Sequence, residues 1–194
     1  MQTDGHLSLR AMLEAIVPLT EEAWKEFSAL FTPVRFARKA IITSEGTTEK
    51  YLYFVVEGVQ RVCFEREGKV HTLVFTYPPS FSGVADSFML QQPSRWMLEA
   101  LSSSVLLRAA YSPLIEVVSR HACLQAFLQK ALSFALAGAL ERQQELLSFS
   151  AEEKFVTLLR RSPQVLQHIP HKYLASYIGV DPTTFSKMMA RVRL

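Results

Sequence analysis

Hydrophobic positions along this chain change period as it proceeds, and each change marks a new kind of element. Leu9, Met12, Leu13 and Ile16 recur at helical spacing and predict a short amphipathic helix. Pro18 interrupts it. Thr20 is a good N-cap for a second helix running to about Phe31, with Glu21 and Glu22 near its positive end. Leu19 before that cap and Trp24 in the first turn have the spacing of a hydrophobic staple. From Val34 to Ala110 the period drops to that of strands. Val34–Ala37, Ile41–Thr43, Tyr51–Val56, Val59–Glu65, Val70–Phe75, Trp96–Leu101 and Val105–Ala110 are short runs rich in β-branched and aromatic residues. Turn signals separate them: Glu45-Gly46, Glu57-Gly58, Glu67-Gly68, Pro78-Pro79 and the serines 102–104. Many short strands at this spacing predict an antiparallel barrel or jelly roll. The looser segment Phe81–Arg95 has room for a helical turn around Val84–Leu90.

Helix returns after Ser112-Pro113, a cap followed by proline, and a long helical pattern occupies roughly Ala122–Leu147. Across residues 122–140, fourteen of nineteen are Ala, Cys, Leu or Phe, and they surround the helix. A surface helix needs only an apolar stripe facing the core, so this one must be covered on two sides. One cover is its own barrel. The other is a second copy of the chain, or else the helix is the centre of a monomer; the first reading puts Leu124, Phe127, Leu128, Ala131 and Ala135 at a dimer interface, with small residues allowing close approach.

Three shorter helices close the chain: Glu152–Arg161, Lys172–Ile178 and Pro182–Val192, with Pro163 and Pro170 after the first of them. Gly179 ends the second, because a residue just past a helix end often takes positive φ. Asp181 then caps the third and Pro182 fits its first position. Phe185, Met188, Met189 and Val192 face inward at i, i+3, i+4 and i+7, leaving Thr183, Thr184, Ser186, Lys187 and Arg191 outward. Taken alone, this is either a plain helical hairpin or the helix-turn-helix that lays one helix in a DNA major groove.

Charge adds one fact. Residues 151–194 hold seven Lys/Arg against three Asp/Glu, whereas residues 1–150 hold fourteen against fifteen. A near-neutral body with a basic end points to an anionic partner for that end. Cys63 and Cys123 match no metal spacing and read as buried free thiols in a reducing compartment. The N-terminus MQTDGHLSLR lacks the apolar run of a signal peptide. The most apolar stretch, Ala131–Leu140, is ten residues, too short by itself to span a bilayer. The expectation is a cytoplasmic protein with no membrane partner.

In this order the parts resemble the bacterial Crp/Fnr superfamily of transcription regulators. The resemblance is carried by EGTTEKYLYFVVEGVQRVCF (Glu45–Phe64), with Gly46, Tyr51, Tyr53, Val55, Gly58, Val59 and Val62 on the family pattern. EALSSSVLLRA (Glu99–Ala109) is similar to the paired strands that close the family barrel. HKYLASYIGVDPTTFSKMMARV (His171–Val192) resembles its helix-turn-helix. The likeness runs from about residue 20 to the end. It implies an α+β fold: an N-terminal antiparallel jelly-roll barrel like a cyclic-nucleotide-binding domain, a long dimerisation helix, and a C-terminal helix-turn-helix bundle. The corresponding domains are 1–115, 116–148 and 149–194. The implied partners are double-stranded DNA, a second copy, RNA polymerase and a small-molecule effector.

The effector pocket is where this sequence departs from that family. Nucleotide-binding members carry Gly-Glu-Leu/Ile and then Pro-Arg-Ser/Thr-Ala, the Glu for the ribose and the Arg for the phosphate. In SGVADSFMLQQPSRWMLEAL (Ser82–Leu101), Gly83 is followed by Val84 and Pro93 by Ser94. Arg95 comes one residue late, which in an extended chain turns it to the opposite face. The pocket Gly83, Val84, Ser94, Arg95 is therefore expected to disfavour cyclic AMP, and the effector is left unidentified. Two isolated cysteines cannot hold an iron–sulfur cluster, and a lone strand histidine, His71, is a poor candidate for haem. A cupin-like metal enzyme would need several histidines on the strands, yet His6, His121, His168 and His171 lie in helical or terminal segments. No catalytic residue or metal ligand is expected.

The reading is a non-enzymatic dimeric regulator on a near-palindromic operator. The rival is a cyclic-nucleotide-binding-like module regulating a protein partner without DNA. DNA contacts are expected from Lys172, Thr183, Thr184, Ser186, Lys187 and Arg191, and a DNA reader should bring Lys172, Lys187, Arg191 and Arg193 to one face. By resemblance the base-reading positions fall on Pro182, Thr183 and Lys187. The chain reaches Leu194 without the β-hairpin wing that many family members append, so a sparse reader is expected.

Overall fold

The structure, a computed structural model, describes residues 2–191. Val192 and Arg193, expected to end the last helix and to add a basic charge, lie outside the described residues. Two helices open the chain, α1 (Gln2–Glu14) and α2 (Glu21–Ala29). Thr20 caps α2 by accepting from the Ala23 N–H at 3.2 Å. Leu19 and Trp24 both pack on the same apolar cluster, as a staple does. The helix stops at Ala29 rather than Phe31, because Thr32 already begins a strand and Phe31 turns into the core.

Eight strands follow: β1 (Thr32–Phe36), β2 (Ile41–Thr43), β3 (Tyr51–Glu57), β4 (Gln60–Arg66), β5 (Lys69–Thr76), β6 (Ser80–Ser82), β7 (Met97–Ala100) and β8 (Ser104–Ala110). They form two antiparallel sheets, ordered β1-β8-β3-β6 and β2-β7-β4-β5. Seven were expected. The eighth, β6, has one apolar residue in three and exists because Ser80–Ser82 pairs with Tyr53–Val55 of β3. A helical turn, α3 (Ala85–Leu90), comes where the loose segment allowed one. Gly58 makes the tight β3–β4 turn at φ +90°; a Cβ there would lie 2.4 Å from Ser104 Oγ, so a larger residue would force the turn open.

Each sheet has one face inside the barrel and one under helices. Tyr53, Val55, Val62, Leu98 and Leu106 meet between the sheets. Behind the first sheet, Phe54, Leu107 and Ala109 pack against α1, α2, α4 (Tyr111–Arg120) and α5 (Ala122–Ser148). Burying these side chains is the main driving force for seating the helices, about 1.5–3 kcal/mol for each fully buried large one. α4 begins at Tyr111, not after a Ser112 cap: β8 runs straight into it with Ala110 as N-cap. Pro113 is harmless in that first turn, where backbone N–H groups have no intrahelical acceptor. The expected 115/116 boundary falls inside this helix.

The second sheet's outer side meets the chain's end. α6 (Ala151–Arg161) starts with a full capping box, Ser150 and Glu153 exchanging bonds. A short α7 (Val165–His168), absent from the sequence expectation, precedes α8 (His171–Ile178) and α9 (Pro182–Arg191). Phe155, Leu158, Leu174, Ile178, Phe185 and Met188 form their core, and it is continuous with Val59 and Leu101 of the barrel.

Candidate functional sites

Residues 82–96 line one end of the barrel. Gly83 takes φ +136°, and Val84 is buried against the inner cluster. Ser94 is buried and its hydroxyl is used locally, donating to Trp96 O at 2.7 Å and accepting from the Trp96 N–H at 2.9 Å. Arg95 points outward. Its side chain is 78% exposed, 3.9 Å from the Asp86 carboxylate, with the guanidinium 5.2 Å from the Trp96 ring centre. The four expected pocket residues thus divide: Gly83, Val84 and Ser94 are at the site, and Arg95 is at the surface.

A charged group at the site, Glu49, is one the sequence did not single out. Glu49 is 2% exposed. Its carboxylate accepts from Thr43 Oγ1 at 2.5 Å, from the Tyr51 N–H at 3.2 Å and from the Val84 N–H at 3.3 Å, while its own N–H donates to Ser87 Oγ at 2.9 Å. Burial pushes the Glu49 carboxyl up, and the Thr43 hydroxyl and the backbone N–H groups pull against that shift. No local signal marks it, because its partners come from β2, β3 and the turn before α3.

A cavity of about 210 Å³ lies between the first sheet and the helices, lined by Phe81, Phe88, Leu114, Val118 and Phe127 among others, and Gly83 forms part of its wall. Its walls are apolar, so it offers no partner for a charged ligand.

The expected interface residues on α5 also divide. Leu124 and Phe127 are buried in the chain's own core, and Leu128 and Ala131 pack against that core. Ala135 is exposed. The exposed apolar stripe of α5 is instead Leu132, Leu136, Leu140 and Leu147, at i, i+4, i+8 and i+15, with Leu136 63% exposed. Sequence alone could not separate the two sides, since both are apolar. An 18-residue window of α5 has mean hydropathy 1.3 and is 11% buried, so by length and composition this helix is one that could cross a membrane. The ten residues Ala131–Leu140 are part of it. The packing of Leu124 and Phe127 ties its first half to the barrel.

α8 and α9 carry three of the basic end's seven Lys/Arg: Lys172, Lys187 and Arg191. Gly179 ends α8 at φ +85°, and Asp181 Oδ1 accepts from the Thr183 and Thr184 N–H groups, each at 2.9 Å. Thr183, Thr184, Ser186, Lys187 and Arg191 are exposed, opposite buried Phe185 and Met188. Thr183, Lys187 and Arg191 share a face at i, i+4 and i+8. Two hydroxyls are used locally: Thr184 donates to Asp181 at 2.5 Å and Ser186 to Pro182 O at 2.9 Å. Exposed Lys172 lies on α8 with its ammonium 4.8 Å from the Tyr173 ring centre.

The other face of α8 is docked on the barrel. Ser176 Oγ accepts the Thr72 N–H at 3.0 Å and donates to Val70 O at 3.1 Å, covering the open edge of β5. Arg61 pairs with Glu99 at 2.7 Å and lies 4.2 Å from the Tyr173 ring centre. On α5, Arg142 donates to Tyr177 O and pairs with Glu145, which also accepts from Arg161 of α6.

Other expectations can be placed. His71 is exposed and stacked on Phe64, ring centres 5.1 Å apart. Cys63 is buried, but Cys123 is only half-buried, because the first turns of α5 leave part of it open. Among the described residues no three His, Cys, Asp or Glu side chains gather as a metal site.

Residues 33–121 match the family described as the cyclic nucleotide-binding domain. No curated protein sequence matches the chain. Solved structures do, with neighbours in the Crp/Fnr regulator family. FixK2 from Bradyrhizobium japonicum is 17% identical, with 83% of each chain covered and a TM-score of 0.74. The c-di-GMP-responsive global regulator CLP of Xanthomonas campestris is 16% identical over 89% of this chain and 91% of its own, with a TM-score of 0.67. The catabolite activator protein of Thermus thermophilus is 22% identical over 91% and 87%, with a TM-score of 0.57. At these identities the likeness establishes the fold.

Proposed function

We propose that this chain is a cytoplasmic, non-catalytic transcription regulator of the Crp/Fnr type that binds DNA as a homodimer. One observation carries the reading: α9 presents Thr183, Lys187 and Arg191 on an exposed face while α8 behind it is fastened to the barrel. α8 and α9 then act as a helix-turn-helix, with Pro182–Arg191 as the reading helix. The leucine stripe on α5 is the dimer seam. Two copies of α9 enter successive major grooves about 34–36 Å apart on a near-palindromic operator. The basic end adds sequence-independent attraction to phosphates, so affinity falls with salt. Lys187 is suited to guanine O6/N7 and Thr183 to a thymine methyl or base edge. RNA polymerase and a small effector are the further partners of this reading. The likeness to FixK2, CLP and the catabolite activator protein supports it at the level of fold.

Selection of bound DNA from a random pool tests it. A two-fold symmetric consensus is the expected result. A pool with no consensus favours the second reading, a module that regulates a protein partner without DNA; on its side is the local use of the Thr184 and Ser186 hydroxyls.

A further inference from the structure

The donors around Glu49 form an anion site that the chain fills from within. The Val84 N–H belongs to the Gly83-Val84 turn, one wall of the expected effector pocket. The other wall, Pro93-Ser94, is stitched to the residues just before Glu49: the Ser94 N–H donates to Thr47 O at 2.9 Å, and Thr48 bridges to Pro93. Between these walls the Glu49 carboxylate takes three donors from three segments, the Thr43 hydroxyl and the Tyr51 and Val84 N–H groups. A carboxylate is an acceptor only, so this all-donor ring suits its charged form. Arg95 is turned away, 78% exposed beside Asp86 and Trp96, while the half-buried Arg108 of β8 holds its guanidinium over the Tyr51 ring, 4.6 Å from its centre. A phosphate or carboxylate entering between these walls would have to break these bonds and face a buried negative charge.

We propose that Glu49 is a specificity-determining residue: it serves as the resident anion of the pocket and so excludes small anions, cyclic nucleotides among them. This rests on reading residues 83–95 as the effector pocket of a Crp/Fnr-type barrel. The turn before α3 is held to β2 and β3 by the chain's own carboxylate.

Anion rescue tests the proposal. Wild type and Glu49→Ala are followed by thermal unfolding in formate, acetate and inorganic phosphate, each against sodium chloride at equal ionic strength. The alanine protein should unfold about 5–10 °C lower, because three buried donors lose their acceptor. Formate should restore much of that loss in a saturable way. Wild type should show no anion-specific shift, with cyclic AMP included. Glu49→Gln keeps the site filled by a neutral group of the same size and should ignore formate. A saturable wild-type shift with phosphate or cyclic AMP overturns the proposal, and so does an alanine protein that responds to formate no more than to chloride. Should that variant not fold in chloride, refolding in formate supports the proposal and folding in neither salt counts against it. No DNA is present, so a failed operator selection leaves these outcomes unaffected.

Discussion

The guanidinium of Arg142, on the long helix α5, lies 3.9 Å from the centre of the Tyr177 ring and donates to the Tyr177 carbonyl on α8. The helix expected to join two copies is thereby fastened to the helix expected to support the DNA reader. Glu145 extends the contact, since its buried carboxylate also takes Arg161 of α6. These side chains join α5 to both α8 and α6.

Arg142→Ala should lower the unfolding free energy by about 2 kcal/mol, combining a lost cation–π contact with lost charge-assisted hydrogen bonds. Amide hydrogen exchange should quicken in α8 more than in β3. Equal exchange in α8 of the variant and the wild type would mean that the contact does not hold the two helices together.

Acid should loosen the same junction. Burial raises the Glu145 carboxyl, but bonds from Arg142 and Arg161 outweigh that and hold it below its ordinary value of 4.5. A depressed carboxyl stabilises the fold above its unfolded pKa, and that contribution is lost as pH falls through the native value. Wild type should therefore exceed Glu145→Gln in stability by a constant margin above about pH 5, and the margin should shrink below about pH 4.5. Chemical denaturation of both proteins across that range measures it; a margin independent of pH would sink the assignment.

Leu136→Glu should yield monomers. The side chain is 63% exposed in the single chain, so the charge costs little there, whereas in the leucine seam it would be buried without a partner. Sedimentation velocity should find wild-type dimers and variant monomers with equal far-ultraviolet circular dichroism. Variant dimers as tight as wild type would place the seam elsewhere.

Lys187→Ala should weaken binding to the selected operator by about 1–3 kcal/mol and relax preference at one base pair. Competition binding against single-base variants of the site measures both. A uniform loss at every sequence would make Lys187 a phosphate contact.

What the sequence by itself determined is what neighbouring residues decide together. Seven of the eight described strands are legible because a run rich in β-branched and aromatic residues, bounded by turn residues, is a local feature. The Thr20 cap, and the turn made by Gly179, Asp181 and Pro182, were legible because cap and capped N–H groups lie within a few residues. The tertiary structure alone decided the rest. Glu49 and Val84, like Arg142 and Tyr177, are thirty-five residues apart, and nothing near either glutamate or arginine announces its partner. The two apolar sides of α5 looked alike until packing buried Leu124 and Phe127 and left Leu136 open. β6 needed β3 beside it. Local patterns fix most of the elements; which polar group meets which across the barrel depends on loop closure, and no stretch of sequence carries that information alone.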